Sequence, residues 1–128
     1  MREKLIQAAI EAREKAYAPY SKYKVGAALL TESGKIYTGC NVENASFGAT
    51  ICAERTAAVK AISDGEMKFR ALAVVVEGEP VAPCGICRQF LVEFGGDLQL
   101  FLGNPGGELV ETTLNECLPG AFGSKYLS

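Results

Sequence analysis

Ala71-Leu72-Ala73-Val74-Val75-Val76-Glu77 sets six apolar residues in a row before the first charge. Strict alternation would mark a strand with one wet face, whereas a continuous run marks a central strand covered on both faces. The run is far too short to cross a bilayer. Toward the N-terminus, a helix is predicted from about Cys52 to Ser63, stopping near Asp64-Gly65. Toward the C-terminus, a loop holding Pro80 and Pro83 leads into a helix over roughly 84–94, which ends at Gly95-Gly96. LQLFL (98–102) reads as a strand, Asn104-Pro105-Gly106-Gly107 as a turn, and GELVET (107–112) as a last short strand. Thr113-Leu114-Asn115-Glu116 has the spacing of a capping box at the start of a short terminal helix.

The N-terminal third completes the pattern. Leu5, Ala9, Ala12 and Ala16 recur at helical spacing, with Ile6, Ile10 and Tyr17 beside them and charges opposite. That helix is expected to run until Ala18-Pro19, because the residue before proline disfavours the helical region. YKVGAALL (23–30) and KIYTGCN (35–41) read as strands, and the short turn Thr31-Glu32-Ser33-Gly34 joins them as a hairpin. Residues 42–50 are a loop of polar and small residues. Strands that alternate with helices after residue 50 place helices on both faces of a sheet. The expected fold is α/β: a three-layer α/β/α sandwich around a five-stranded mixed sheet, with residues 1–128 as a single domain.

Composition removes several function classes. The chain has 128 residues and a net charge of −2, with no histidine. Its thirteen lysines and arginines are scattered, which argues against a nucleic-acid partner. No membrane segment or signal peptide is visible, so a cytoplasmic location is expected. Five cysteines, an odd number, fit thiols held reduced for metal or catalytic use. Without histidine, Ser-His and Cys-His dyads and histidine-ligated metals are excluded. A catalytic metal must then rest on cysteine or carboxylate.

Cys84 and Cys87 form a Cys-x-x-Cys pair that opens a predicted helix, and Cys52 opens the preceding one. Helix N-termini favour thiolate. The two starts can converge on one ion. A thioredoxin-like redox pair is the plainer alternative for Cys-x-x-Cys alone. It does not account for Cys52, for Glu54 two residues later, or for Pro83 before the pair. Zinc deaminases carry the signature ligand-x-Glu … Pro-Cys-x-x-Cys, in which three cysteines can serve as ligands.

Cys52-Ala53-Glu54-Arg55-Thr56-Ala57 and Pro83-Cys84-Gly85-Ile86-Cys87-Arg88-Gln89 resemble the small homotetrameric zinc-dependent cytidine deaminases. So do Ala18-Pro19-Tyr20-Ser21, Val25-Gly26-Ala27-Ala28, Gly39-Cys40-Asn41-Val42-Glu43-Asn44-Ala45 and Leu118-Pro119-Gly120-Ala121-Phe122, so the resemblance covers nearly the whole chain. It implies one zinc ion per subunit on Cys52, Cys84 and Cys87, with Glu54 as the proton shuttle. Cytidine and 2′-deoxycytidine would be hydrolysed to the uridine forms, as in pyrimidine salvage. Cys52 and Glu54 lie about 200° apart on an ideal helix, so both reach one ion only if Cys52 sits at the helix edge.

The resemblance further implies that Asn41 and Glu43, two apart at a strand end, bind the ribose. A polar turn with local backbone bonds is the plainer alternative. Tyr23 stands where relatives carry a base-packing Phe, and the backbone of Ala53 and Cys84 is expected at the pyrimidine. Phe47 replaces the usual Tyr. Phe122 would reach a neighbouring subunit's site in a homotetramer, or else be core. Three thiolates and one zinc ion sum to −1, and Arg55, three residues after Cys52, is placed to offset that charge. Arg88 is a second candidate, and Gln89 resembles a position supporting the zinc site. Cys40 and Cys117 read as small buried hydrophobes. Three rivals remain at this stage: a blasticidin-type deaminase, a polynucleotide deaminase, and a structural zinc module with Cys40 or Cys117 as fourth ligand.

Overall fold

The computed structural model describes residues 1–127. In chain order it contains α1 (Arg2–Arg13), β1 (Gly26–Thr31), β2 (Ile36–Cys40), α2 (Ala53–Ser63), β3 (Phe69–Val75), α3 (Gly85–Val92), β4 (Gln99–Gly103), β5 (Leu109–Thr113) and α4 (Leu114–Cys117). The sheet order is β2-β1-β3-β4-β5. Only the β3–β4 pair is parallel, and the β1–β2, β1–β3 and β4–β5 pairs are antiparallel. The apolar run at 71–76 therefore supplies most of β3, the middle strand of a mixed sheet.

Strand side chains alternate between faces, and the core divides accordingly. Ala28, Leu30, Ala71, Ala73 and Val75 pack against Leu5 and Ala9 of α1. Ala27, Leu29, Leu72, Val74, Leu100 and Leu102 pack against α2 and α3, with Leu91 and Leu114 closing that side. Each fully buried leucine contributes about 1.5–3 kcal/mol relative to exposure. The layers are thus α1, the sheet, then α2 with α3.

Two glycines let helices come unusually close to the sheet. A Cβ on Gly26 would lie 2.0 Å from the Ala9 carbonyl oxygen of α1. A Cβ on Gly39 would lie 2.4 Å from the Ala53 carbonyl oxygen and 2.5 Å from the Ala57 nitrogen of α2. Backbone on backbone at these distances leaves no room for a side chain unless the helix shifts away.

The first helix ends earlier than its periodicity predicts, at Arg13 rather than beside Ala18. Lys15 N–H bonds the Ala12 carbonyl and Ala16 N–H the Arg13 carbonyl, so the last turn tightens and stops. Tyr17 then pairs with Val42, giving its N–H to the Asn41 carbonyl and taking the Glu43 N–H. This distant pairing outweighs local helix propensity.

Candidate metal and catalytic centre

Cys52 and Cys84 are the N-cap residues of α2 and α3, both extended (φ −76°, ψ 155° and φ −63°, ψ 167°). Neither side chain caps its helix. The sulfurs instead turn toward one another: Cys52 Sγ lies 3.8 Å from Cys84 Sγ, which lies 3.3 Å from Cys87 Sγ. All three fall within 4.8 Å of one another. A tetrahedral ion with zinc–sulfur bonds of about 2.3 Å needs sulfurs about 3.8 Å apart, so the set fits one zinc ion. The angular problem of Cys52 and Glu54 is resolved by the cap, since an extended residue is not bound by helical spacing. Among the described residues, Cys40 and Cys117 lie outside this cluster. Both are half-buried rather than fully buried, and the structural zinc module lacks its fourth cysteine.

Hydrogen bonds around the sulfurs separate their acidities. The Cys52 thiol is pulled down to about 5, first by a hydrogen bond from Cys87 and, against the effect of burial, by Arg55 and Cys84. The matching proton stays on Cys87, whose thiol is pushed up by that same bond and by burial. Arg55 Nη2 donates to Cys52 Sγ at 3.8 Å. Burial opposes its charge, yet its bonds to Cys52 and Cys87 raise its pKa. Arg88 is used differently, with Nη1 donating to the Cys117 carbonyl at 2.6 Å.

Glu54 is 5% exposed. Burial is the main reason that its carboxyl is pushed up to about 7; its own N–H pulls the other way and Cys52 adds to the rise. It lines a cavity of about 310 Å³ together with Cys52, Ala53 and Cys84. Pockets for small ligands begin at about 300 Å³. Tyr23, Asn41 and Glu43 also line the cavity, and Val74, Val76 and Val81 supply apolar surface. A larger hollow of about 450 Å³ lies between Glu93, Asn115 and the tail segment 118–125. It has no thiol cluster, so the smaller cavity is the one with chemistry.

Asn41 and Glu43 both face this cavity, and both are also tied to nearby backbone. Asn41 is 8% exposed; its Oδ1 accepts from Val25 N–H at 2.9 Å and its Nδ2 donates to the Tyr23 carbonyl at 2.8 Å. Glu43 Oε1 accepts the N–H groups of Tyr20 and Ser21 at 3.0 and 3.1 Å, and Oε2 accepts the Ser21 hydroxyl. The ribose and local-turn readings are therefore not exclusive. Phe47, 77% exposed, stands edge-on to Tyr20 outside the main cavity. Phe122, 55% exposed, borders the tail hollow. Gln89 is exposed and donates to the Phe122 carbonyl at 2.8 Å, so this bond leads to the tail and not to a sulfur. Ser21 and Val81 also line the cavity; Ser21 falls in a segment that carries the family resemblance, but no spacing rule links either residue to positions 41–54.

The family model of the cytidine and deoxycytidylate deaminase zinc-binding region matches residues 1–102. The chain is 56% identical to the cytidine deaminase of Sporosarcina psychrophila over 128 residues, covering 98% of this chain and 94% of that one. It is 52% identical to the cytidine deaminase of Halalkalibacterium halodurans over 123 residues, covering 94% and 93%. The crystal structure of cytidine deaminase from Burkholderia pseudomallei matches with a TM-score of 0.92 at 52% identity, covering 95% of this chain and 99% of that one.

Proposed function

The chain belongs to the family of cytidine and deoxycytidylate deaminases, and from that premise we propose how its residues divide the work of hydrolytic cytidine deamination. The reaction replaces the C4 amino group of cytidine by oxygen and releases ammonia. The observation that carries this reading is the convergence of three thiols, two of which, Cys52 and Cys84, line a nucleoside-sized cavity together with the buried carboxyl of Glu54.

Cys52, Cys84 and Cys87 would hold a zinc ion, which would supply the Lewis acidity that activates a water near neutral pH. Glu54 takes the water proton and delivers protons to ring N3 and the departing amine. Its carboxyl, raised to about 7 by burial, is matched to a group that must accept and return a proton near neutral pH. Arg55 holds a positive charge against Cys52 and offsets the three thiolates. Tyr23 and the backbone of Ala53 bound the base, while Asn41 and Glu43 take the sugar, whether ribose or 2′-deoxyribose. Two carboxylates, Glu43 and Glu54, face the cavity, which favours a neutral nucleoside over a nucleotide.

The whole chain acts as one domain, and we read the assembly as a homotetramer whose sites are completed across subunits by Phe122. The exposure of Phe47, Tyr20 and Phe122 supports this. No helix among the described residues is long and apolar enough to cross a membrane; a cytoplasmic location is our reading of the reduced thiols. An absorbance assay of cytidine conversion to uridine tests the function. Turnover should be present with zinc, vanish with a chelator and return on re-addition. Chelator-resistant turnover would remove zinc from the reading, and light scattering of the eluted protein decides the tetramer.

A further inference from the structure

We infer that Ser21 is the positioning residue of the sugar side of the site, fixing the Glu43 carboxylate through its hydroxyl; this rests on Glu43 being a sugar ligand. An ionised carboxylate offers about four lone-pair sites. Three are taken by the loop before β1: the Tyr20 and Ser21 N–H groups on Oε1 and the Ser21 hydroxyl on Oε2. About one acceptor remains, so Glu43 presents a single, oriented lone pair to a substrate hydroxyl.

An ionised carboxylate only accepts, so in its bond with Glu43 the Ser21 hydroxyl is the donor. Tyr23 N–H donates to Ser21 Oγ at 3.0 Å. Ser21 Oγ is thus an acceptor on one side and must donate on the other, toward Glu43. One serine side chain links the backbone of Tyr23 to the carboxylate of Glu43, two residues that line the same cavity. Between them Lys22 adopts φ +63°, a left-handed conformation uncommon for a residue with a Cβ. Its N–H closes a turn onto the Ala18 carbonyl at 3.0 Å. Backbone strain at such a point persists where surrounding bonds over-determine it, and here those bonds converge on Glu43. The Glu43 carboxyl is held below the usual range, first by the Ser21 hydroxyl and, against burial, by the two N–H groups.

The test uses the zinc-loaded enzyme and steady-state kinetics with cytidine. Ser21→Ala should raise KM about tenfold, the worth of one hydrogen bond to a charged group, with kcat within about twofold. Ser21→Thr, which keeps the hydroxyl, should restore KM. The decisive arm is Ser21→Ala in a Glu43→Ala background, where no further rise in KM is expected because the serine acts through the glutamate. Equal KM increments in both backgrounds would overturn the proposal, as would a Ser21→Ala enzyme with unchanged KM while Glu43→Ala raises it. If Glu43→Ala itself leaves KM unchanged, the sugar-ligand reading fails first and takes the proposal with it.

Discussion

The two faces of the sheet receive their helices by the same device and put them to different use. α1 lies over Gly26 and α2 over Gly39, each so close that a Cβ would strike helix backbone. Both helices bury alanines, Ala9 and Ala12 on one face and Ala53, Ala57, Ala58 and Ala61 on the other. The difference is not in capping itself, since Met1 before α1 makes no side-chain cap bond either, but in which residues stand at the helix starts of the second face. α4 spends its N-cap conventionally, with Thr113 accepting from Glu116 N–H. α2 and α3 place cysteines at their N-caps and leave them uncapping. A missing cap costs about 1 kcal/mol per helix, and in exchange the sulfurs and the positive helix ends are free to hold a metal. Close packing serves stability on both faces; chemistry arises only where helix starts are left unsatisfied beside a cavity.

If that contrast holds, the two faces separate under mutation. The largest effect is expected at Glu54. Glu54→Gln should keep zinc, since the residue is not a ligand, and lose turnover by several orders of magnitude; a single general acid–base role is worth about 10²–10⁴-fold, and Glu54 serves more than one proton transfer. Metal analysis paired with the absorbance assay reads this, and near-normal turnover would remove the shuttle. On the other face, Leu5 is fully buried against the sheet. Leu5→Ala should cost about 2–5 kcal/mol of stability and lower Tm, with kcat per folded molecule unchanged. A kcat that falls with Leu5 would mean the faces are coupled.

The contrast also marks what was legible in the sequence. The thiols and Glu54 lie in two short segments whose internal spacing reports their chemistry, and the structure brings them together. The five strands were legible because a run such as 71–76 has only one comfortable place in a sheet. The end of α1 was not, because the pairing of Tyr17 with Val42 is a tertiary contact that no local pattern encodes. The same holds for Ser21, whose partner Glu43 is 22 residues away. Arg88 shows the converse: it neighbours a ligand in sequence, yet its guanidinium bonds the Cys117 carbonyl at the end of α4.

Arg55 is the next largest expected effect and sharpens the chemical side of the comparison. Its guanidinium donates to the sulfur of Cys52, a proposed zinc ligand. Groups that support metal ligands are typically worth 10–100-fold in affinity or activity. Arg55→Ala should therefore reduce kcat or zinc affinity by about that factor, with a smaller loss of Tm than Leu5→Ala. Competition with a chromogenic chelator gives the affinity. Unchanged kcat with unchanged zinc affinity would leave the thiolate charge offset by the helix ends alone.

The smallest effects come from the glycines, and they test the comparison most directly because the two substitutions are matched. Gly26→Ala and Gly39→Ala each force a methyl group against helix backbone, for which overpacking costs about 1–3 kcal/mol. The helix must shift away in both cases, and similar losses of Tm are expected. The consequences for the site are not similar. Gly39 presses on the Ala53 carbonyl and Ala57 nitrogen, the first turn of α2, directly after Cys52 and around Glu54. A displacement there moves a ligand and the proton shuttle together. Gly26 presses on Ala9 and Arg13 of α1, which carries neither. Gly39→Ala should therefore lower kcat and alter the visible spectrum of the cobalt-substituted protein, while Gly26→Ala leaves both near wild type. Equal losses of kcat in the two variants would show that the sheet transmits strain to the site from either side, and the division of labour between its faces would fall.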